Sequence, residues 1–129
     1  MATVLIIDDS PTQVRYMRIL LQGLRVLHRN SDSLSESLPL PEQTDLVLIA
    51  LILTRNNGFE CGARLRELGF FNIALYSDCP ESTDADWAQA IGLQALLRLP
   101  APMALLRQQV QSLLGVGAQG KDDGKRRAS

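Results

Sequence analysis

Short apolar runs recur along the chain, each followed by a polar turn and then by apolar positions at helical spacing. Thr3 to Asp8 (TVLIID) is β-branched and apolar, the pattern of a strand buried on both faces. Leu24 to His28, Asp45 to Ala50, Phe71 to Ser77 and Leu93 to Leu99 repeat that pattern. Between the first two runs, Ser10-Pro11-Thr12-Gln13 announces a helix: a capping hydroxyl, a proline suited to the first helical position and a glutamine to complete a capping box. Val14, Met17 and Leu21 then follow at helical spacing, and Gly23 is a stop. Ser31 to Leu38 predicts a short, weak helix ended by Pro39 and Pro41. Phe59 to Leu68 predicts a helix closed by Gly69. Asp84 to Ile91 predicts another, with Ser82 and Thr83 as caps and Gly92 as its end. Pro102 to Leu114 predicts the last, with Met103, Leu106, Val110 and Leu113 facing inward.

Five strand–helix alternations predict a flavodoxin-like (βα)5 fold, a doubly wound five-stranded parallel sheet with helices on both faces. Ligands in such sheets sit beyond the carboxyl ends of the strands. That rule selects Asp8 and Asp9 after strand 1, Ala50 after strand 3, Ser77 and Asp78 after strand 4, and Leu99 and Pro100 after strand 5.

Composition narrows the function classes. The 129 residues, 46% hydrophobic and 21% charged, suit one globular domain over 1–115, with 116–129 as a flexible tail or the start of a linker. A formal net charge of -1 provides no field for direct nucleic-acid or membrane binding, and the one basic cluster, Lys121 to Arg127, lies in the tail. No apolar run is long enough for a membrane span and no secretory leader is expected, so the chain is read as cytoplasmic. Cys61 and Cys79 lack zinc or redox spacing and read as free packing thiols, and His28 as a strand-end residue with no ligand partner.

Four segments taken together carry a resemblance: VLIIDDSP (4–11), DLVLIALILTRNNGFE (45–60), IALYS (73–77) and GLQALLRLPAP (92–102). In this order and spacing they resemble the chemotaxis-type response-regulator receiver family of bacterial two-component signalling, over residues 3 to 114. The resemblance implies a phosphoacceptor aspartate ending strand 3, an acidic pair after strand 1 that helps hold Mg²⁺, a hydroxyl after strand 4, a lysine after strand 5, and an aromatic switch within strand 5.

Asp8 and Asp9 match the acidic pair, Ser77 the hydroxyl, and Gly58 and Pro100 backbone positions. The acceptor position holds Ala50, the lysine position Leu99 and the switch position Leu96. One engineered change at Ala50 would leave the other two unexplained. The coordinated absences imply a degenerate, non-enzymatic pseudo-receiver. Its Mg²⁺ site is weak or lost, retaining Asp8, Asp9 and the Ile52 carbonyl without a third carboxylate. Two neighbouring carboxylates without the lysine repel, so one is expected to have a raised pKa or to take a basic partner, for which Arg55 is the candidate.

The expected work is protein–protein contact: homodimerisation, a partner or a following output domain, through the face made by the Asp84–Ile91 helix, strand 5 and the last helix. Trp87, Leu93 and Leu105 are its candidate anchors, although Trp87 also reads as a partly buried packing residue. Two alternatives stay open. Asp78 is a candidate displaced phosphoacceptor, and the vacated, less polar pocket is a candidate small-ligand sensor.

Overall fold

The structure, a computed structural model, describes residues 1–34 and 37–128; the side chains of residues 33 and 116–128 lie outside the description. Strands β1 (Thr3–Ile7), β2 (Arg25–Arg29), β3 (Leu46–Ala50), β4 (Ile73–Ser77) and β5 (Ala95–Arg98) form one parallel sheet in the order β2-β1-β3-β4-β5. Helices α1 (Pro11–Leu20), α2 (Gly58–Glu67), α3 (Asp84–Ala90) and α4 (Met103–Ala128) make the crossovers and the last layer. α1 packs on α4, α2 on β3 and β4, and α3 on β5. This is the flavodoxin-like doubly wound arrangement, whose order reverses between β1 and β3.

Every residue of β1, β3 and β4 is buried, which accounts for their unbroken apolar runs. The edge strand β2 is only partly covered, and His28 and the arginines beside it sit there. Gly23, Gly69 and Gly92 end their helices at φ 94°, 103° and 86°, a left-handed conformation that a side chain resists.

Four α-helices, not five, lie among the described residues. The weak helix expected over 31–38 is a single 3₁₀ turn, Ser31–Ser33, followed by a second at Pro41–Gln43; residues 35 and 36 lie outside the description. Ser31 spends both its amide and its hydroxyl on Asp9, and the prolines bar a longer helix. Strand 4 begins at Ile73 rather than Phe71. The last helix, expected over 102–114, begins at Met103 and runs on as α4 to Ala128, through residues expected to form a separate tail.

Candidate functional site

The helix caps place the loops at the carboxyl edge of the sheet. Ser10 Oγ accepts from Gln13 N at 3.3 Å and Pro11 opens α1, so the chain turns immediately after Asp8-Asp9. Asn57 Oδ1 accepts from Glu60 N at 3.0 Å and caps α2. Gly58 then lies against the end of β3. A Cβ there would meet the Ala50 carbonyl oxygen at 2.8 Å and Leu51 Cα at 2.9 Å, so only glycine fits.

Asp8 is buried, and both its oxygens are engaged. Oδ1 accepts from Ser10 N at 2.9 Å, and Oδ2 accepts from the Tyr76 hydroxyl at 2.5 Å. Burial pushes the Asp8 carboxyl above its ordinary range; the hydrogen bonds from Tyr76 and Ser10 pull the other way, and Asp9 adds a smaller upward push. One of the pair therefore does have a raised pKa, although desolvation is the leading cause, ahead of repulsion. The Tyr76 phenol is itself driven far above its usual value, by burial first and then by the Asp8 charge, so it donates rather than ionises.

Asp9 faces a different loop. Its Oδ1 accepts from Ser31 N at 2.8 Å, while Oδ2 accepts from Ser31 Oγ at 2.6 Å and Thr54 N at 2.9 Å. Partial burial works to raise its pKa, but the Ser31 and Thr54 hydrogen bonds outweigh it and the pKa falls. The expected basic partner Arg55 is replaced in this role by Tyr76, Ser31 and Thr54.

The strand register explains why Tyr76 reaches Asp8. Ile7 pairs with Ile49 and Ala50 with Tyr76, so Asp8, Ala50 and Tyr76 occupy one row and point to one face. β3 lies between β1 and β4. The tyrosine therefore crosses over residue 50 to bond with Asp8, and a methyl is the side chain that leaves it room. Ala50 is 2% exposed beneath it. Sequence reasoning missed Tyr76. Its signal was a phenol inside a buried aliphatic strand, which requires a hydrogen-bond partner.

The remaining expected residues fall into separate places. Ser77 is buried and its hydroxyl accepts from Cys79 N at 3.2 Å, fixing the loop after β4. Asp78 is exposed. With Leu99 and Pro100 it lines an open groove of 600 Å³ that also includes Tyr16 and Ile52. Leu99 donates its amide to Ser77 O at 2.8 Å, and its bond to Pro100 is cis. Leu96 is half-buried in β5.

Three expectations change. Leu93 is buried, against α2, where a Cβ added at Gly62 would meet its Cδ1 at 2.8 Å, so it belongs to the core and not to an exposed patch. Trp87 is 61% exposed, not a packing residue, and lines a groove shared with α2. Leu105 is exposed on α4. Of the cysteines, Cys61 is buried, its thiol pushed up to about 11 chiefly by burial, whereas Cys79 is exposed and does not pack. His28 Nε2 lies 2.8 Å from the Asp8 carbonyl oxygen.

The acidic pair fits Mg²⁺ poorly. That ion needs near-octahedral oxygen donors, usually including carboxylates free to turn toward it. Here all four carboxylate oxygens of Asp8 and Asp9 accept protein hydrogen bonds, and residue 50 contributes none.

The fold has clear counterparts. The CheY-like response regulator receiver domain protein of Methanospirillum hungatei matches with a TM-score of 0.76 at 14% identity, covering 93% of this chain and 98% of that one. The chain has the receiver-domain fold. The BeF3-activated N-terminal receiver domain of Klebsiella pneumoniae RstA matches with a TM-score of 0.77 at 19% identity, over 87% of this chain and 97% of that one. By sequence, the protein PilH of Pseudomonas aeruginosa is 26% identical over 119 residues, 88% of this chain and 98% of PilH. No family model matches. Among the described residues, no helix of this receiver fold is long and apolar enough to cross a membrane.

Proposed function

We propose that this chain is a response-regulator receiver domain that has exchanged its phosphoryl switch for a fixed internal contact, and that it works in two-component signalling through protein contacts. The observation that carries this reading is the Tyr76–Asp8 hydrogen bond across Ala50. A receiver that accepts phosphate needs space and a carboxylate at the end of β3. Here the carboxylate is missing, and the space is occupied by a phenol held at both ends, by its strand and by Asp8. Leu99 supplies no cation to meet a phosphoryl charge. The 26% identity to PilH over nearly the whole length supports a receiver's place in signalling.

Asp78 is a poor substitute acceptor. Among the described residues lining its groove there is no lysine, arginine or histidine, so a phosphoryl group on Asp78 would have hydroxyl, amide and apolar side chains as its described neighbours. A small-ligand role for the pocket is opposed by Tyr76, which already fills the place above Ala50.

Incubation with acetyl phosphate and Mg²⁺, followed by intact mass, tests the reading. No adduct is expected, and beryllofluoride with Mg²⁺ is expected to leave Trp87 fluorescence unchanged. A stoichiometric phosphoryl adduct would overturn it, and mapping the adduct to Asp78 would install the displaced acceptor in its place.

A further inference from the structure

The groove between α2 and α3 has a chemistry of its own. Phe59, Glu60 and Ala63 form one wall, and Glu81, Trp87 and Ile91 the other, around a volume of 470 Å³. Trp87 is 61% exposed, an unusual amount of aromatic surface to leave in water. The carboxylates at the rim are unmatched in sign. Glu60 and Glu81 are exposed, Asp84 adds a third, and no lysine, arginine or histidine is among the described lining residues. Asp84 is committed internally, its Oδ2 accepting from Glu81 N at 2.6 Å. Arg66, also on α2, is not among the lining residues; its Nη1 donates to the Gly92 carbonyl at 2.5 Å, just past Ile91 at one end of the groove.

We propose that this groove docks a basic amphipathic helix of a partner protein. An apolar side chain of that helix would sit between Phe59 and Trp87, and lysines or arginines one turn away would meet Glu60 and Glu81. Charge complementarity selects this occupant: an apolar floor alone would accept many segments, but an acidic rim penalises neutral and acidic ones. A cation over the indole face adds to the preference. Seating the apolar stripe of a third helix between two others is a common recognition mode. The inference deepens the protein-contact reading by assigning it a surface and a partner chemistry. It also moves the expected contact from the β5–α4 side to the α2–α3 side.

The test uses the full chain and its single tryptophan as reporter. A synthetic Leu/Lys peptide with helical amphipathic spacing is titrated at physiological ionic strength, beside a charge-reversed Leu/Glu peptide of the same spacing. The Leu/Lys peptide should shift Trp87 emission to the blue and the Leu/Glu peptide should leave it unchanged. With the Leu/Lys peptide labelled instead, Trp87→Ala should weaken binding about tenfold or more. Glu60→Lys with Glu81→Lys, which retains the tryptophan, should weaken it comparably, and Leu105→Ala should have no effect. Equal binding of both peptides, or unchanged affinity in Trp87→Ala, would overturn the proposal. So would self-association that Trp87→Ala abolishes without any peptide binding, which would assign the groove to a second copy. Peptide binding together with a phosphoryl adduct would uphold the groove while sinking the fixed-contact reading; no adduct and no peptide response would do the reverse.

Discussion

Tyr76 and Asp8 form a donor–acceptor pair 68 residues apart in sequence, buried where neither has an alternative partner in water. Tyr76→Phe should therefore cost about 1.5–3 kcal/mol, the usual loss when a hydrogen bond to a buried charged group is removed, read from urea unfolding. Ala50→Asp should be more damaging. It places a second carboxylate beside a buried one and beneath the phenol ring, so the variant should unfold at markedly lower urea and still take no phosphoryl group. Adding Tyr76→Ala should recover part of that loss, since the two side chains compete for one space; simple additivity in the double-mutant cycle would refute the competition.

The two aspartates also predict a pH signature at this scale. The pKa of Asp8 is raised above 3.8 in the folded state, so the folded protein binds the extra proton and stability falls as pH rises through that raised value. Relative to Asp8→Asn, the wild type should gain stability on acidification, with the gain complete below 3.8. For Asp9 the sign is opposite. Its folded pKa lies below 3.8, so its contribution is present above 3.8 and lost as pH falls through the folded value. The two windows lie on opposite sides of 3.8, and unfolding curves of the two asparagine variants across pH 2–7, a range of about five units, separate them.

At the scale of elements, the start of α2 is the most constrained point of the site. Gly58 N donates to Leu51 O at 2.8 Å, and its Cα sits where any side chain would strike β3 backbone. Gly58→Ala should cost about 1–3 kcal/mol, because backbone atoms cannot turn aside as a flexible side chain would. Asn57→Ala removes only the cap and should cost about 1 kcal/mol. A Gly58→Ala variant as stable as the wild type would show that the loop can shift away from the strand. Most elements were legible in the pattern, because capping and periodicity act over a few residues: Ser10-Pro11 before α1 and Gly69 after α2 behave as read. The Ser31 segment was misread because its competing hydrogen-bond partner, Asp9, lies on another strand loop and is invisible to local periodicity.

Across the whole molecule, Asn72 links the two layers at the far end of the sheet. Its Nδ2 donates to Asp45 O and to Leu113 O, both at 2.9 Å, which fastens α4 to the entry of β3. Asn72→Ala should cost about 1–3 kcal/mol and speed amide exchange over Val110–Leu113 more than over β1. Unchanged exchange in that stretch would mean α4 is held by its apolar face alone. The link was not legible in advance, since Asn72 fell within the strand expected over Phe71 to Ser77 and its partners Asp45 and Leu113 lie on other segments.

By itself the sequence determined the five strands, the parallel doubly wound class and the identities Ala50, Leu96 and Leu99 on which the proposed loss of the phosphoryl switch rests. Those features follow from local apolar periodicity and residue identity, which need no knowledge of register. Only the tertiary structure decided what occupies the place above Ala50, which carboxylate is held above its ordinary pKa, that Leu93 is core, and which helix faces Trp87. Each depends on which residues the sheet brings into one row or one groove. Asp8, Ala50 and Tyr76 became a single site because β3 pairs with both its neighbours in one register, a relation no stretch of the chain records alone.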